Sequence, residues 1–309
     1  MLRCIVCIML MSVCTPIMAC DVCACSSGSF SSGFMTIRNQ HLLGLSYASR
    51  SFQSEHPTLF EGETPVVSDE RFQTLQWSAR FFPIRNLQLM AFVPYNFFQK
   101  QEEGETVRTQ GLGDITLTAH AVLFSRNDSG RFQHRITGGG GLKLPTGESQ
   151  IEADEQGILI PSMQPGTGSL DYLLSLGYMV QHKLWGTSTE ISYRINQAND
   201  NYYEFGDRLN VSVDVFRNFM LADDRALLRP QIGLLLDESA QDNRNTRIND
   251  MNEYSGGTVL ETRVGLNAQW KNWVCGVTYS FPIHQHLGGG YITVKPQSTI
   301  QLNYLIQTK

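Results

Sequence analysis

Gly186-Thr187-Ser188-Thr189-Glu190-Ile191-Ser192-Tyr193-Arg194-Ile195 is the stretch that decides the fold class. Thr187, Thr189, Ile191, Tyr193 and Ile195 fall on one side of an extended chain, and Ser188, Glu190, Ser192 and Arg194 on the other, because successive side chains of a strand point to opposite faces. One face suits lipid and the other suits water. The same rhythm recurs about twelve times between residue 34 and the C-terminus. That recurrence is the signature of an all-β chain folded as a transmembrane, antiparallel, up-and-down β-barrel.

The alternating stretches lie near 41–52, 71–82, 87–99, 112–124, 132–144, 169–181, 186–196, 207–217, 227–237, 258–270, 273–282 and 292–306. Short connections rich in turn formers, such as Pro83-Ile84-Arg85-Asn86 and Lys271-Asn272, alternate with longer polar ones. Every odd-to-even connection reads as longer than the next, including those through Glu102-Glu103-Gly104-Glu105 and Gly288-Gly289-Gly290. Outer-membrane barrels show this asymmetry, with short turns in the periplasm and long loops outside. An even strand number then places both termini on the periplasmic side. Aromatic residues gather at strand ends (Phe81, Phe82, Phe97, Phe98, Trp185, Tyr202, Tyr203, Phe216, Phe219, Trp270, Trp273) and are expected to form interfacial girdles.

A hydrophobic content of 41% and a mean hydropathy of −0.19 fit this reading, since only alternate residues of a barrel strand must be apolar. Residues 1–19 carry a positive start, a short apolar core and Ala19 before the cleavage point, as a secretory signal does. Ile17-Met18-Ala19-Cys20 is both a signal-peptidase site and a loose lipobox, and both processings stay open. The mature chain then comprises a Cys-rich periplasmic segment, 20–33, and the barrel, 34–309. Cleavage before Cys20 removes Arg3, leaving 23 basic against 29 acidic residues, a balance that gives no hint of nucleic-acid binding. The implied partners are the outer-membrane bilayer of a Gram-negative cell, the barrel assembly machinery and a small solute. The alternation of Ile300, Leu302, Tyr304 and Ile306 offers the assembly signal.

With the apolar set facing lipid, the opposite set lines the lumen: Arg80, Asp114, His120, Arg135, Glu190, Arg194, Asp214, Glu261 and Arg263, together with Lys143, Arg208 and Arg229. A barrel of about twelve strands lies between those filled by side chains, at roughly 8, and open porins, at roughly 16. A narrow, selective route fits; a ladder of ion pairs that fills the barrel is the competing reading.

Three motifs carry a family resemblance: Gly111-Leu112-Gly113-Asp114-Ile115, Gly141-Leu142-Lys143-Leu144-Pro145-Thr146-Gly147 and Gln164-Pro165-Gly166-Thr167-Gly168-Ser169. In order and spacing they resemble the outer-membrane barrel family named for the meta-pathway of phenol degradation, over roughly 40–306. The resemblance implies uptake of hydrophobic or aromatic compounds and supplies no catalytic residues. Cys20-Asp21-Val22-Cys23-Ala24-Cys25 is similar to the Cys-rich leader of a Bacteroidetes-like subset. Cys20, Cys23 and Cys25 could gather thiolates around Cu(I) or Zn(II); lipidation of Cys20, a disulfide and a flexible tail are the other readings. No other cofactor is expected. Cys275, alternating with Val277 and Tyr279, is expected to face lipid, and His284-Gln285-His286 to sit in an external loop.

The leading functional reading is a transporter or narrow channel for a hydrophobic, aromatic or metal-linked solute. The alternatives are a plugged structural or metal-sensing barrel and, further off, a lipid-acting enzyme. The enzyme would need Ser and His side by side on neighbouring strands, and the sequence shows no such set at matching depth on the lipid face. A non-enzyme is expected.

Overall fold

The computed structural model describes residues 40–56, 65–127, 132–149, 152–153, 157–158, 161–221 and 226–306. Among them, twelve strands close into one antiparallel barrel. They are β1 (His41–His56), β2 (Val66–Ile84), β3 (Leu87–Glu102), β4 (Glu105–Leu112, resuming as Thr116–Asn127), β5 (Gln133–Lys143), β6 (Asp171–His182), β7 (Trp185–Ile195), β8 (Arg208–Arg217, with Phe219–Leu221), β9 (Ala226–Ser239), β10 (Gly257–Trp270), β11 (Trp273–Leu287) and β12 (Ile292–Val294, resuming as Gln297–Ile306). Each pairs with the next, and β12 returns to β1 in a register running from His41 opposite Ile306 to Ser49 opposite Ser298. Closure leaves no open edge, a requirement in lipid, where each unpaired backbone group costs several kcal/mol.

Side-chain parity sorts the wall. Leu43, Leu45, Trp77, Leu174, Leu176, Ile191, Val213, Ile232, Val264, Val277, Ile300 and Leu302 all point outward and are exposed. So contiguous an apolar surface exceeds what a monomeric soluble protein tolerates, and it forms the lipid-facing belt. Cys275 is a free thiol exposed on that belt.

The structure corrects three expectations. Several strands run further at the long-connection end than the apolar alternation does, because ladder hydrogen bonding continues after the lipid-facing side chains turn polar. Residues 103–104 therefore form a two-residue turn between β3 and β4, shorter than the β4–β5 connection at 128–132, so the rule of alternating length fails there. Glu103 and Gly104 both have positive φ, 50° and 89°, as a type I′ hairpin turn demands. The same extension places His284 and His286 within β11 and not in a loop. Last, Phe98 and Phe216 turn inward and Tyr203 is buried in the β7–β8 connection. Adjacent aromatics on a strand cannot both face lipid, so Phe81, Phe97, Trp185, Phe219, Trp270 and Trp273 hold the exposed interfacial positions.

Candidate functional site

The inner wall is polar. Asp114, His120, Arg135, Arg194, Asp214, Glu261 and Arg263 are buried away from lipid. Arg80 sits opposite Leu42 and Met90, and Glu190 opposite Gly177 and Ser212, on the same inward parity. All nine thus lie along the lumen. Charges removed from water need partners, and many have them here. Arg263 donates from Nη2 to Asp214 Oδ2 at 2.6 Å, with Glu190 within Coulombic reach of both. Gln297 donates to the Glu261 carboxylate. Arg208 grips Asp237 through Nε, at 2.6 Å, and Nη2; Arg50 and Arg194 lie in the field of Asp237. Nearer the short-turn end, Arg80 and Arg135 are within Coulombic reach of each other, and Arg229 donates to Asn218 Oδ1 at 2.7 Å while lying over the Phe216 ring. The structure therefore gathers Glu190, Asp214 and Arg263 into one cluster, and Arg80 and Arg135 into another.

Arg50 and Asp237 belong to the lumen and escape the sequence reading. Arg50 is flanked by Ser49 and Ser51, so apolar alternation has already faded where it stands. His120 and Ser175 form a pair that was also missed: Nε2 and Oγ lie 2.7 Å apart. They sit on β4 and β6 with β5 between them, and Gly139 is the residue registered against both. A Cβ on Gly139 would stand 2.1 Å from the Ala119 carbonyl oxygen and 2.7 Å from the His120 ring, so only glycine lets the two side chains meet. The pair faces the lumen and spans non-neighbouring strands, so it is not the lipid-face set a lipid-acting enzyme would need. Sequence reasoning sees neighbouring strands and misses contacts across a glycine.

At the long-connection end of the barrel the three motifs of the sequence converge. The break in β4 at residues 113–115 turns the buried Asp114 carboxylate into the barrel, where it accepts from Gly147 N (3.0 Å), Thr167 N (2.9 Å) and Thr167 Oγ1 (2.7 Å). Lys143 Nζ lies 3.3 Å from Asp114, pairs closely with Asp171 and donates to Thr167 Oγ1 at 2.5 Å. Ser169 Oγ donates to Asp171 at 2.9 Å. The lysine and both carboxylates are almost wholly buried. Gly147 and Gly166 touch backbone to backbone, since a Cβ on Gly147 would lie 2.7 Å from the Cα of Gly166. One ionic latch therefore pins the connection between β5 and β6 across the opening.

The pinned segment carries an apolar tip. Pro161–Met163 forms a single 3-10 turn. Thr109 Oγ1 donates to the Met163 carbonyl at 2.5 Å, and Asn96 Nδ2 to the Pro165 carbonyl at 2.8 Å. Met163, 1% exposed, packs with Phe52, Phe72, Phe98, Val259, Leu287 and Val294, inward residues of β1 to β3 and β10 to β12. The Phe52–Phe72 and Phe72–Phe98 rings meet edge to face at 5.5 and 5.0 Å. A polar lumen is thus capped at its long-connection end by an apolar lid.

Solved structures share this architecture. The COG4313 outer membrane channel from Pseudomonas putida F1 superposes with a TM-score of 0.64 at 14% identity, over 88% of this chain and 97% of its own. The β-domain of the Bordetella autotransporter BrkA follows at 0.52 and 11% identity, over 87% of this chain and 100% of its own. This chain has the fold of outer-membrane β-barrels. At such identities the likeness is one of fold. No family model matches the chain, and no curated protein matches its sequence. Cys20, Cys23 and Cys25 lie outside the described residues.

Proposed function

We propose that the protein is a narrow channel of the outer membrane, with its long connections facing outward, that admits a small solute when the latched segment 161–170 leaves the mouth. The observation that carries this reading is the latch. Asp114, Lys143, Thr167 and Asp171 hold an apolar tip across a polar, charge-lined bore. A barrel meant only to be filled could close with side chains from its own wall, as those of about eight strands do; here closure is delegated to a separate segment held by a handful of ionic contacts. The resemblance to the phenol meta-pathway barrels supports a hydrophobic or aromatic cargo, and the aromatic residues under the lid suit one. The fold shared with an outer membrane channel supports passage over catalysis. Binding of Cu(I) or Zn(II) at the N-terminal cysteines is a separate proposal, tested by metal titration of the mature chain with and without residues 20–28.

Solute flux into liposomes tests the channel reading. Wild type is expected to be slow, and a Lys143→Met variant, whose latch has lost its cation, at least several-fold faster for small solutes. A refolded Lys143→Met barrel as impermeable as empty liposomes would overturn it.

A further inference from the structure

The outer wall carries a second polar feature, away from the lumen and just above the belt. On the outward faces of β1 to β4, the row Tyr47, Leu75, Tyr95 and Leu112 closes the apolar belt. Two rows nearer the long connections stands the row Ser51, Arg71, Gln99 and Arg108. At Ser51, Arg71 and Gln99 of this second row lies a hollow of about 290 Å³, lined also by Asp69, Gln101 and Lys295, with Phe52 and Glu70 turned the other way beneath; Arg108 flanks it on the strand beside Gln99. Lys295 is fixed over it, its N–H donating to the Ser51 carbonyl at 2.9 Å and its Nζ to Asp69 at 2.5 Å. The acids that line it are Asp69, already paired to Lys295, and the inward-turned Glu70, which accepts from Ser54 and Ser68.

The height of this hollow selects its ligand. A lipid whose acyl chains lie against Tyr47, Leu75 and Tyr95 presents its headgroup about four residues further along the strands, roughly 13 Å up at 3.4 Å per residue. Arginine forks offer phosphate two parallel hydrogen bonds where lysine offers a point charge, and both arginines here project outward, Arg71 and Arg108 being exposed. Gln99, Gln101, Ser51 and Asp69 supply the mixed donors and acceptors that sugar hydroxyls need. Charges merely solvated at a rim require no hollow; Arg71 and Lys295 line one, and Arg108 stands on the next strand in register with Gln99 of its wall.

We infer that this hollow binds the phosphorylated sugar headgroup of an outer-leaflet glycolipid, with Arg71 and Arg108 on phosphate and Gln99, Gln101 and the Lys295–Asp69 pair on the sugar. The inference rests on the outward placement of the long connections, and not on passage through the lumen. It is tested by titrating the full, refolded barrel in micelles with diphosphorylated lipid A, with lipid A stripped of phosphate, and with inorganic phosphate. One equivalent of the diphosphorylated lipid is expected to bind, about tenfold or more tighter than the stripped lipid, as lost charge-assisted hydrogen bonds imply. The double variant Arg71→Gln, Arg108→Gln is expected to lose a similar factor while keeping wild-type heat-modifiable mobility and liposome flux. Equal affinity in wild type and double variant overturns the inference, as does inorganic phosphate competing at the lipid's own concentration, which marks a free-anion site. Failure here leaves the channel reading standing, and a silent lumen leaves this site standing.

Discussion

At the scale of single residues, the lumen depends on a few side chains that cannot be exchanged. Lys143 bridges Asp114 and Asp171 in the latch, and removing one partner of a buried ionic cluster costs about 3–5 kcal/mol because the rest stay buried and unpaired. Lys143→Met is therefore expected to raise hydrogen exchange of the Thr167 amide, which donates to Asp114, by at least tenfold, with β9 to β11 unchanged. Exchange that rises uniformly would mean the latch stabilises the whole barrel and not the segment. Gly139 is a second such position. Gly139→Val drives carbon into the Ala119 carbonyl and the His120 ring, so failure to form the compact, heat-modifiable species on a gel is expected; full refolding would refute the close packing of β4 on β5. Charge parity was legible at this scale: Arg80, His120 and Glu190 could be placed in the lumen by counting in twos. The His120–Ser175 pair was not, because it spans a strand whose contribution is the lack of a side chain.

Among elements, the strands were read well wherever lipid imposes alternation and less well beyond it. β7 and β10 begin and end within a residue of expectation, whereas β1 to β4 and β11 extend further at the long-connection end. There the outward face is already polar, as in Ser49, Ser51 and Gln53 of β1, so the amplitude of the rhythm vanishes while backbone pairing persists. The connection from β5 to β6 read as an ordinary loop. Its inward course comes from side chains on β4 and β5 that meet it only in three dimensions, although the motifs holding it were visible as three separate strings. The apolar tip is expected to be the element that seals the mouth. Placing a carboxylate in that cluster, as Met163→Asp does, buries a charge without a partner at a cost of several kcal/mol, enough to displace the tip without touching a barrel strand. Protease access to segment 161–170 is then expected to rise at least tenfold over wild type.

Across the whole molecule, the proposed channel would have to run past the ladder of charges between the mouth and the short turns. Asp214 and Arg263 are each other's partners across β8 and β10, so the single changes Asp214→Asn and Arg263→Gln are expected to shift ion selectivity in opposite directions. The double change is expected to return near the wild-type reversal potential; parallel shifts would place both side chains off the conducting path. The fold was legible because a closed barrel in lipid leaves so few choices of face, whereas the state of the bore was not, since openness depends on where one connection packs. The most direct test of the central claim is single-channel conductance in planar bilayers, wild type beside Met163→Asp, both confirmed as folded barrels. Brief, rare openings in wild type and long, frequent ones in the variant are the expected result. Two equally silent barrels would contradict it, and the charges of the lumen would then be a filling and not a path.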